Sequence, residues 1–329
     1  MKAMVIVPKP DGGALEIRDV PKPEPCPGEL LIRVKATALN RADLYQRQGT
    51  YPRQVRAGDG LLSVAGLEAA GEVGGMGDDV AGFAVGDRVM ATCAGGYAEF
   101  VAVDHRLAIP VPDKLSWVEA ATIPVSYMTE HDALITNARL QSGESVLVHA
   151  ASSGVGIAAI QIAKLFGAKP VIGTGSVAAK FEVLRPLGMD LGINHRAEKL
   201  SEAVLAATGG LGVNIIIDHL GGPLLDENLR CLALRGRLVS VGRLAGITGE
   251  LNLDLLALKR LHLIGVTFRT RTLEERIAIA RRFAADLLPA LADGRLRPLI
   301  DRVFPLDQAL EAQAYMVSNA QVGKIVLTV

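Results

Sequence analysis

Residues 145–163 carry no charged side chain and come close to the length needed to cross a bilayer. This stretch therefore decides between a membrane span and the interior of a folded domain. Ser152, Ser153, Gly154 and Gly156 settle the choice, because turn-forming residues cut the apolar run in the middle. Before them stands the short β-branched run Val146-Leu147-Val148, and after them the apolar residues have helical spacing. The segment reads as strand, tight turn and helix.

The rest of the chain from about Trp117 follows the same texture. Candidate strands at 145–150, 170–174, 191–194, 213–218, 237–241 and 262–268 are separated mostly by helical segments. Such alternation implies a doubly wound parallel sheet with right-handed crossovers. From Lys2 to about Pro112 the pattern differs. Short β-rich runs at 30–36, 71–73, 87–91 and 97–103 lie between Gly and Pro clusters, which indicates an irregular, mostly antiparallel β domain. Thr272-Leu273-Glu274-Glu275 matches a capping box and opens a helix expected to run through about Leu291 and stop near Gly294. Residues 306–318 read as a helix and 324–329 as a strand, both placed with the N-terminal domain.

A chain of 329 residues is long enough for two domains with separate cores and a ligand cleft between them. The 35 acidic and 35 basic side chains cancel, so the chain as a whole offers no attraction to nucleic acid or an anionic membrane. Cys26, Cys93 and Cys231 are too few and too scattered for a disulfide framework or a Cys-x-x-Cys zinc site, which fits a reducing, cytoplasmic setting. The opening run Met1-Lys2-Ala3-Met4-Val5-Ile6-Val7 gives way at once to Pro8, Lys9, Pro10 and Asp11, so no secretory signal is expected there.

The strand–turn–helix at 146–161 carries the strongest chemical signal. Small residues let the backbone approach a pyrophosphate, whose charge the exposed amides and the positive helix end then stabilise. Ala151 and Ser153 stand where a strict fingerprint has its first two glycines, Gly156 keeps the third, and Gly154 is expected to supply the missing conformational freedom. The competing reading is an ordinary strand-to-helix turn. About twenty residues further on, an NAD enzyme places an acid on the ribose 2′-hydroxyl. Here the chain has Gly173-Thr174-Gly175-Ser176, with no acid before Glu182. Ser176 and Lys180 at i, i+4 put a hydroxyl and an ammonium on one helix face, and with His195 or Arg196 they suit a 2′-phosphate, hence NADPH. The competing reading of Lys180 is a solvated helix lysine.

The chain resembles the zinc-independent quinone oxidoreductases of the medium-chain dehydrogenase/reductase superfamily, the zeta-crystallin-like group, and within it the tumour-suppressor-inducible branch. The resemblance runs through Ala38-Leu39-Asn40-Arg41-Ala42-Asp43-Leu44, Gly66-Leu67-Glu68-Ala69-Ala70-Gly71, Gly86-Asp87-Arg88-Val89, the turn at 150–156, Leu187-Gly188 and Gly323-Lys324-Ile325-Val326-Leu327. It implies an α/β protein with a GroES-like β domain (1–120 and 269–329) and a Rossmann doubly wound parallel sheet (121–268), assembled as a homodimer or homotetramer.

Zinc-dependent relatives carry Cys where this chain has Asn40 and His where it has Leu67. Leucine has no lone pair and an amide is a poor zinc ligand, so no metal is expected, nor does ligand spacing support a gathering of Cys93 with His105 or His131. Without a Lewis acid, activated acceptors remain: a quinone or conjugated carbonyl takes hydride with little help because its product anion is delocalised. The resemblance implies Asn40, Asp43 and Tyr45 at the reacting end. Asn40 would orient the carboxamide or ribose, and Tyr45 would hydrogen-bond the acceptor oxygen. Asp43 as a loop-holding residue and Tyr45 as packing are open alternatives. It further implies cofactor contacts from Thr129, from Ala151, Ser152, Ser153, Gly154, Val155 and Gly156, from Gly175, Ser176, Lys180 and His195, and from Gly242, Phe268 and Lys324. Phe268 reads equally as core. His149 is expected to be a satisfied core histidine, and His219 either an adenosine contact or structural. Two other readings stay open: an enone or enoyl-thioester reductase on the same scaffold, and an NADPH-binding protein without turnover.

Overall fold

The computed structural model describes residues 1–9, 13–50 and 63–329. Gly49-Thr50-Tyr51-Pro52 is the kind of loop that shapes a quinone pocket, and its Tyr51 and Pro52 lie outside the described residues. The chain divides into two compact units: Met1–Met128 with Arg271–Val329, and Thr129–Thr270.

The first unit is built on a seven-stranded sheet. Its central strand, Glu29–Ala38, alternates apolar with polar side chains from Ile32 onward, pairs antiparallel with Glu68–Met76, Phe100–Asp104 and Lys324–Thr328, and so draws the last strand of the chain against an early one. Ile300–Pro305 adds in parallel to Lys324–Thr328, while Arg88–Thr92 and Ile109–Pro110 extend the other edge. A smaller sheet of Ala14–Asp19, Lys2–Val7 and Ser63–Val64 completes the β structure. The capping box is formed as expected. The Thr272 hydroxyl accepts the Glu275 N–H at 3.2 Å, the Glu275 carboxylate accepts the Thr272 N–H at 2.7 Å, and the helix Leu273–Asp293 ends on left-handed Gly294. Its Ile277 packs among Leu30, Ile32, Val89 and Val101.

In the second unit, the strands Val146–Val148, Val171–Gly175, Leu191–Asn194, Val213–Asp218, Leu232–Ser240 and His262–Gly265 all pair in parallel. Numbered along the chain from first to sixth, they lie in the order 3-2-1-4-5-6. The order reverses between the first and fourth strands, and a ligand crevice in such a sheet opens there, outside the carboxyl ends. Leu147, Ile172, Ile193, Ile216 and Leu238 form the core beneath. Among the described residues no helix is long and apolar enough to cross a membrane; the uncharged stretch at 145–163 is the first strand, a turn and most of the helix Gly154–Leu165.

Two local expectations fail. The sixth strand stops at Gly265, so Phe268 lies beyond it in a turn. Between the second and third strands there is no continuous helix, only the 3₁₀ turns Ala178–Phe181 and Arg185–Leu187. Pro186 and left-handed Gly188 stop propagation, and Ser176 precedes the first turn, so i, i+4 spacing does not align Ser176 with Lys180.

Candidate functional site

The first strand delivers the chain to the switch point, and the turn after it is held by its own atoms. Ser153 caps the helix, its Oγ accepting the Gly156 N–H at 3.0 Å and donating to the Ala150 carbonyl at 2.8 Å, while the Ala151 N–H donates to Thr174 at 2.9 Å. The left-handed residue is Ala150, at φ 50°, and Gly154 is the first helical residue, which corrects the assignment of the turn's freedom to Gly154. Gly156 permits the close approach: a Cβ there would fall 2.4 Å from the Ala150 oxygen and 2.7 Å from that of Ala151. Ala151 and Gly156 are buried, and Ser152, Ser153, Gly154 and Val155 remain half-exposed at the positive end of the helix.

Neighbouring strand ends supply further groups. Gly175 ends the second strand and its carbonyl accepts the His195 N–H at 3.2 Å, bringing Gly175, Ser176 and His195 side by side. The exposed His195 ring is held below the usual histidine pKa by partial burial and then by the Arg196 charge. Lys180 is half-buried in the 3₁₀ turn. Gly242 follows the fifth strand, its N–H donating to the Asp218 carbonyl at 3.0 Å. Thr129 is half-buried in the helix Ile123–His131.

His149 and His219, at the same edge, are buried. His149 Nδ1 lies 2.8 Å from Thr174 Oγ1 and Nε2 2.7 Å from Asn228 Oδ1, the satisfied core histidine expected, with burial pushing its pKa down. His219 Nδ1 lies 2.8 Å from the His149 carbonyl and Nε2 3.0 Å from Glu130 Oε1. That arrangement leaves neither ring nitrogen of His219 for an adenosine contact.

In the first unit, the strand Glu29–Ala38 leads through Leu39 and Asn40 into the helix Arg41–Arg47. The buried Lys324 ammonium donates to Leu39 O at 2.9 Å, Asn40 Oδ1 at 2.8 Å and Glu68 Oε1 at 2.9 Å. Asn40 Nδ2 donates to the same Glu68 oxygen at 2.9 Å and to Ala38 O at 3.3 Å, and Glu68 Oε2 accepts the Val125 N–H at 2.8 Å. With its three N–H groups engaged, Lys324 has none left for a cofactor, so its expected cofactor contact is corrected to a bond network inside the first unit. Asp43 Oδ2 accepts both the Asn40 N–H and the Tyr97 hydroxyl at 2.7 Å. Left-handed Gly66 lets the Tyr97 ring come that close, since a Cβ there would stand 2.4 Å from ring atom Cδ1. Burial raises the Asp43 pKa from 3.8 to about 7 against the pull of Tyr97, Asn40 and Lys324. Tyr45 is 39% exposed. Among the described residues no three His, Cys, Asp or Glu side chains gather to hold a metal ion.

Two family profiles match this chain: "Alcohol dehydrogenase GroES-like domain" over residues 26–113 and "Zinc-binding dehydrogenase" over residues 154–285. A quinone oxidoreductase of Rattus norvegicus is 35% identical over 313 residues, covering 94% of this chain and 92% of that protein. The chain belongs to the medium-chain dehydrogenase/reductase superfamily. A phenolphthiocerol/phthiocerol polyketide synthase of Mycobacterium tuberculosis is 34% identical over 316 residues, a match that spans 96% of this chain but only 14% of the synthase polypeptide. A mycobacterial protein solved in complex with NADPH superposes with a TM-score of 0.90 at 30% identity, covering 100% of both chains. These relatives support the zeta-crystallin-like resemblance.

In this member of the medium-chain dehydrogenase/reductase superfamily, sequence reasoning quoted Glu68 within a motif but gave it no role, and passed over Tyr97 and Glu130. Glu68 did leave a signal: an acid set among Leu67, Ala69 and Ala70 in a buried strand must find a cationic partner. Tyr97 and Glu130 left none short of the fold.

Proposed function

We propose that this protein is an oxidoreductase that transfers hydride from NADPH to a quinone or similar conjugated carbonyl without zinc. The observation that carries the reading is the Lys324 ammonium bonded to Asn40 and Glu68 in the very loop where zinc-dependent relatives hold their metal. An internal cation already answers the buried carboxylate, and Leu67 offers no lone pair, so the donor set does not suit a zinc ion.

The residues present fit the dinucleotide. Ser152, Ser153, Gly154 and Val155 would hold the pyrophosphate at the start of a twelve-residue helix over the turn that Gly156 keeps tight. Gly175, Ser176, Lys180 and His195 would take the 2′-phosphate end, and Thr129, Gly242 and Phe268 the nicotinamide. When bound, NADPH supplies hydride from C4 of its ring. The protein then orients the acceptor and excludes water. On this reading Asn40, its amide fixed by Lys324 and Glu68 and its backbone anchored by Asp43, would orient the reacting groups, and the Tyr45 hydroxyl would donate to the acceptor oxygen. A cytoplasmic homodimer or homotetramer is the setting this reading implies.

The polyketide synthase relative favours a second reading, reduction of an enone or enoyl thioester. A panel of acceptors separates the two. Rapid NADPH oxidation with quinones, unchanged after chelator treatment, and none with alkenals or enoyl thioesters supports the first; the reverse pattern supports the second, and chelator-sensitive turnover overturns the zinc-free reading.

A further inference from the structure

The hydrogen bonds at the carboxyl edge of the second unit's sheet fix a proton. His219 Nδ1 faces the His149 carbonyl, which only accepts, and Nε2 faces the Glu130 carboxylate, which when ionised also only accepts. Both ring nitrogens must then donate, so His219 is an imidazolium. His149 is its opposite. The Thr174 hydroxyl can donate to Nδ1 while Nε2 donates to the Asn228 carbonyl oxygen, a neutral ring with its proton on Nε2. Two histidines joined by one hydrogen bond are thus held in opposite charge states, a division that marks a built electrostatic device.

The surroundings agree. His219 is 2% exposed and Glu130 0%. Burial opposes the His219 charge, but the Glu130 carboxylate and the bonds to Glu130 and His149 outweigh it and raise its pKa. The charged or titratable groups facing His219 are Glu130 from the helix Ile123–His131, His149 just past the first strand, and Asp218, which ends the fourth strand immediately before it. Asp218 Oδ1 is already engaged with the Leu220 and Gly221 N–H groups at 2.8 and 3.0 Å, so Glu130 is the direct partner. Among the described residues Glu130 Oε2 has no hydrogen-bond partner, which leaves the imidazolium as the bonded compensation for this carboxylate.

We infer that His219 and Glu130 are a positioning pair for the cofactor: the imidazolium clamps the carbonyl immediately before the Ala150–Gly156 turn to the residue that follows Thr129 in its helix. The inference rests on the NADPH reading above. One bond of the pair sets the entry to the pyrophosphate turn, and the other sets the helix proposed to contact the nicotinamide. When the pair loses its proton, Nε2 turns a lone pair toward the carboxylate and the helix link breaks. The charge that favours a bound diphosphate goes with it.

The test has one arm that needs no cofactor. In protein labelled with ¹⁵N-histidine, His219 should show both ring nitrogens protonated at pH 7 and lose one in a single step at higher pH, while His149 stays neutral with its proton on Nε2. In parallel, the NADPH Kd from fluorescence titration should rise about tenfold through that same step, because binding linked to one proton weakens by up to a decade per pH unit above the free protein's pKa. In Glu130→Gln, whose amide can donate to a neutral Nε2, the ring step should move below pH 7 and the Kd should become flat between pH 7 and 9. A neutral His219 ring at pH 6 overturns the pair itself. An identical Kd profile in wild type and Glu130→Gln, or in wild type alone a Kd that ignores the His219 step, overturns the positioning role. No NADPH binding at any pH, with the ring step intact, sinks the cofactor reading and the role together while leaving the ion pair standing.

Discussion

The Ala150–Gly156 turn and the Asn40 loop are both short links from a strand into a helix, yet opposite means hold them. The turn is fastened by neighbours: Ser153 to Ala150 and Gly156, three residues away in each direction. The loop is fastened across the chain, with Asn40 tied to Glu68 and to Lys324, 28 and 284 residues distant, and Asp43 tied to Tyr97, 54 away. An anion site can use backbone amides that every helix start already has, so small residues suffice. A buried carboxylate such as Glu68 needs a counter-charge, and no local residue supplies one.

The sharpest way to break this contrast is at Lys324. Replacing it by Met leaves the buried Glu68 carboxyl without its cation, and removing one partner of a buried pair costs about 3–5 kcal/mol. Lys324→Met should therefore lower the urea-unfolding free energy by that order. The double variant Lys324→Met with Glu68→Gln should recover much of the loss, because the uncompensated charge is gone. Equal losses in the single and double variants would show that the charge pairing is not what holds the loop.

A smaller effect is expected at Asp43, where the sign follows from its proton. The folded carboxyl titrates at about 7 against 3.8 in the open chain. Between those values the native state binds more protons than the unfolded one, so stability falls as pH rises through this window and the loss is complete above about 7. Oδ2 already accepts two hydrogen bonds and Oδ1 has none, so the proton belongs on Oδ1. Asp43→Asn mimics that neutral form. Between pH 5 and 7 the wild type should lose roughly 2–3 kcal/mol more than the variant, at about 1.4 kcal/mol per pH unit. Parallel stability–pH curves for the two proteins would place the proton elsewhere.

What could be read in advance divides along the same line. The parallel sheet was legible because its strands carry short β-branched apolar runs, such as Val146-Leu147-Val148 and Ile215-Ile216-Ile217, between helices. The Thr272 cap was legible because all its bonds lie within four residues. The 176–188 segment was not, since its helical spacing is overruled by Pro186 and left-handed Gly188. Nor was the position of Phe268, because the sixth strand is an edge strand with no pattern to mark where pairing ends. At the site, Asn40 and Asp43 stood out together in the sequence, but the partner that bonds the Asn40 amide lay in a strand at the far end of the chain. Lys324 was expected at the cofactor because the family resemblance implied that contact. Only the antiparallel pairing of Lys324–Thr328 with Glu29–Ala38 reveals that its partner is Glu68.

On the turn, the expected effect is the smallest in stability and pits two forces against each other. In a helix, Gly→Ala ordinarily stabilises by roughly 0.5–1 kcal/mol, because alanine has less backbone freedom to lose. At Gly156 the new Cβ would meet the Ala150 and Ala151 oxygens at 2.4 and 2.7 Å, and these are backbone atoms that cannot rotate aside. Relief requires the turn to move away from the helix, at a cost of about 1–3 kcal/mol for such overpacking. The balance for Gly156→Ala is a net loss of about 1–2 kcal/mol by this reckoning. The displaced amides should weaken NADPH binding about tenfold, since the site's donors are the same atoms that must shift. A Gly156→Ala protein that gains stability and binds NADPH as the wild type does would mean that the turn is not shaped for the diphosphate at all.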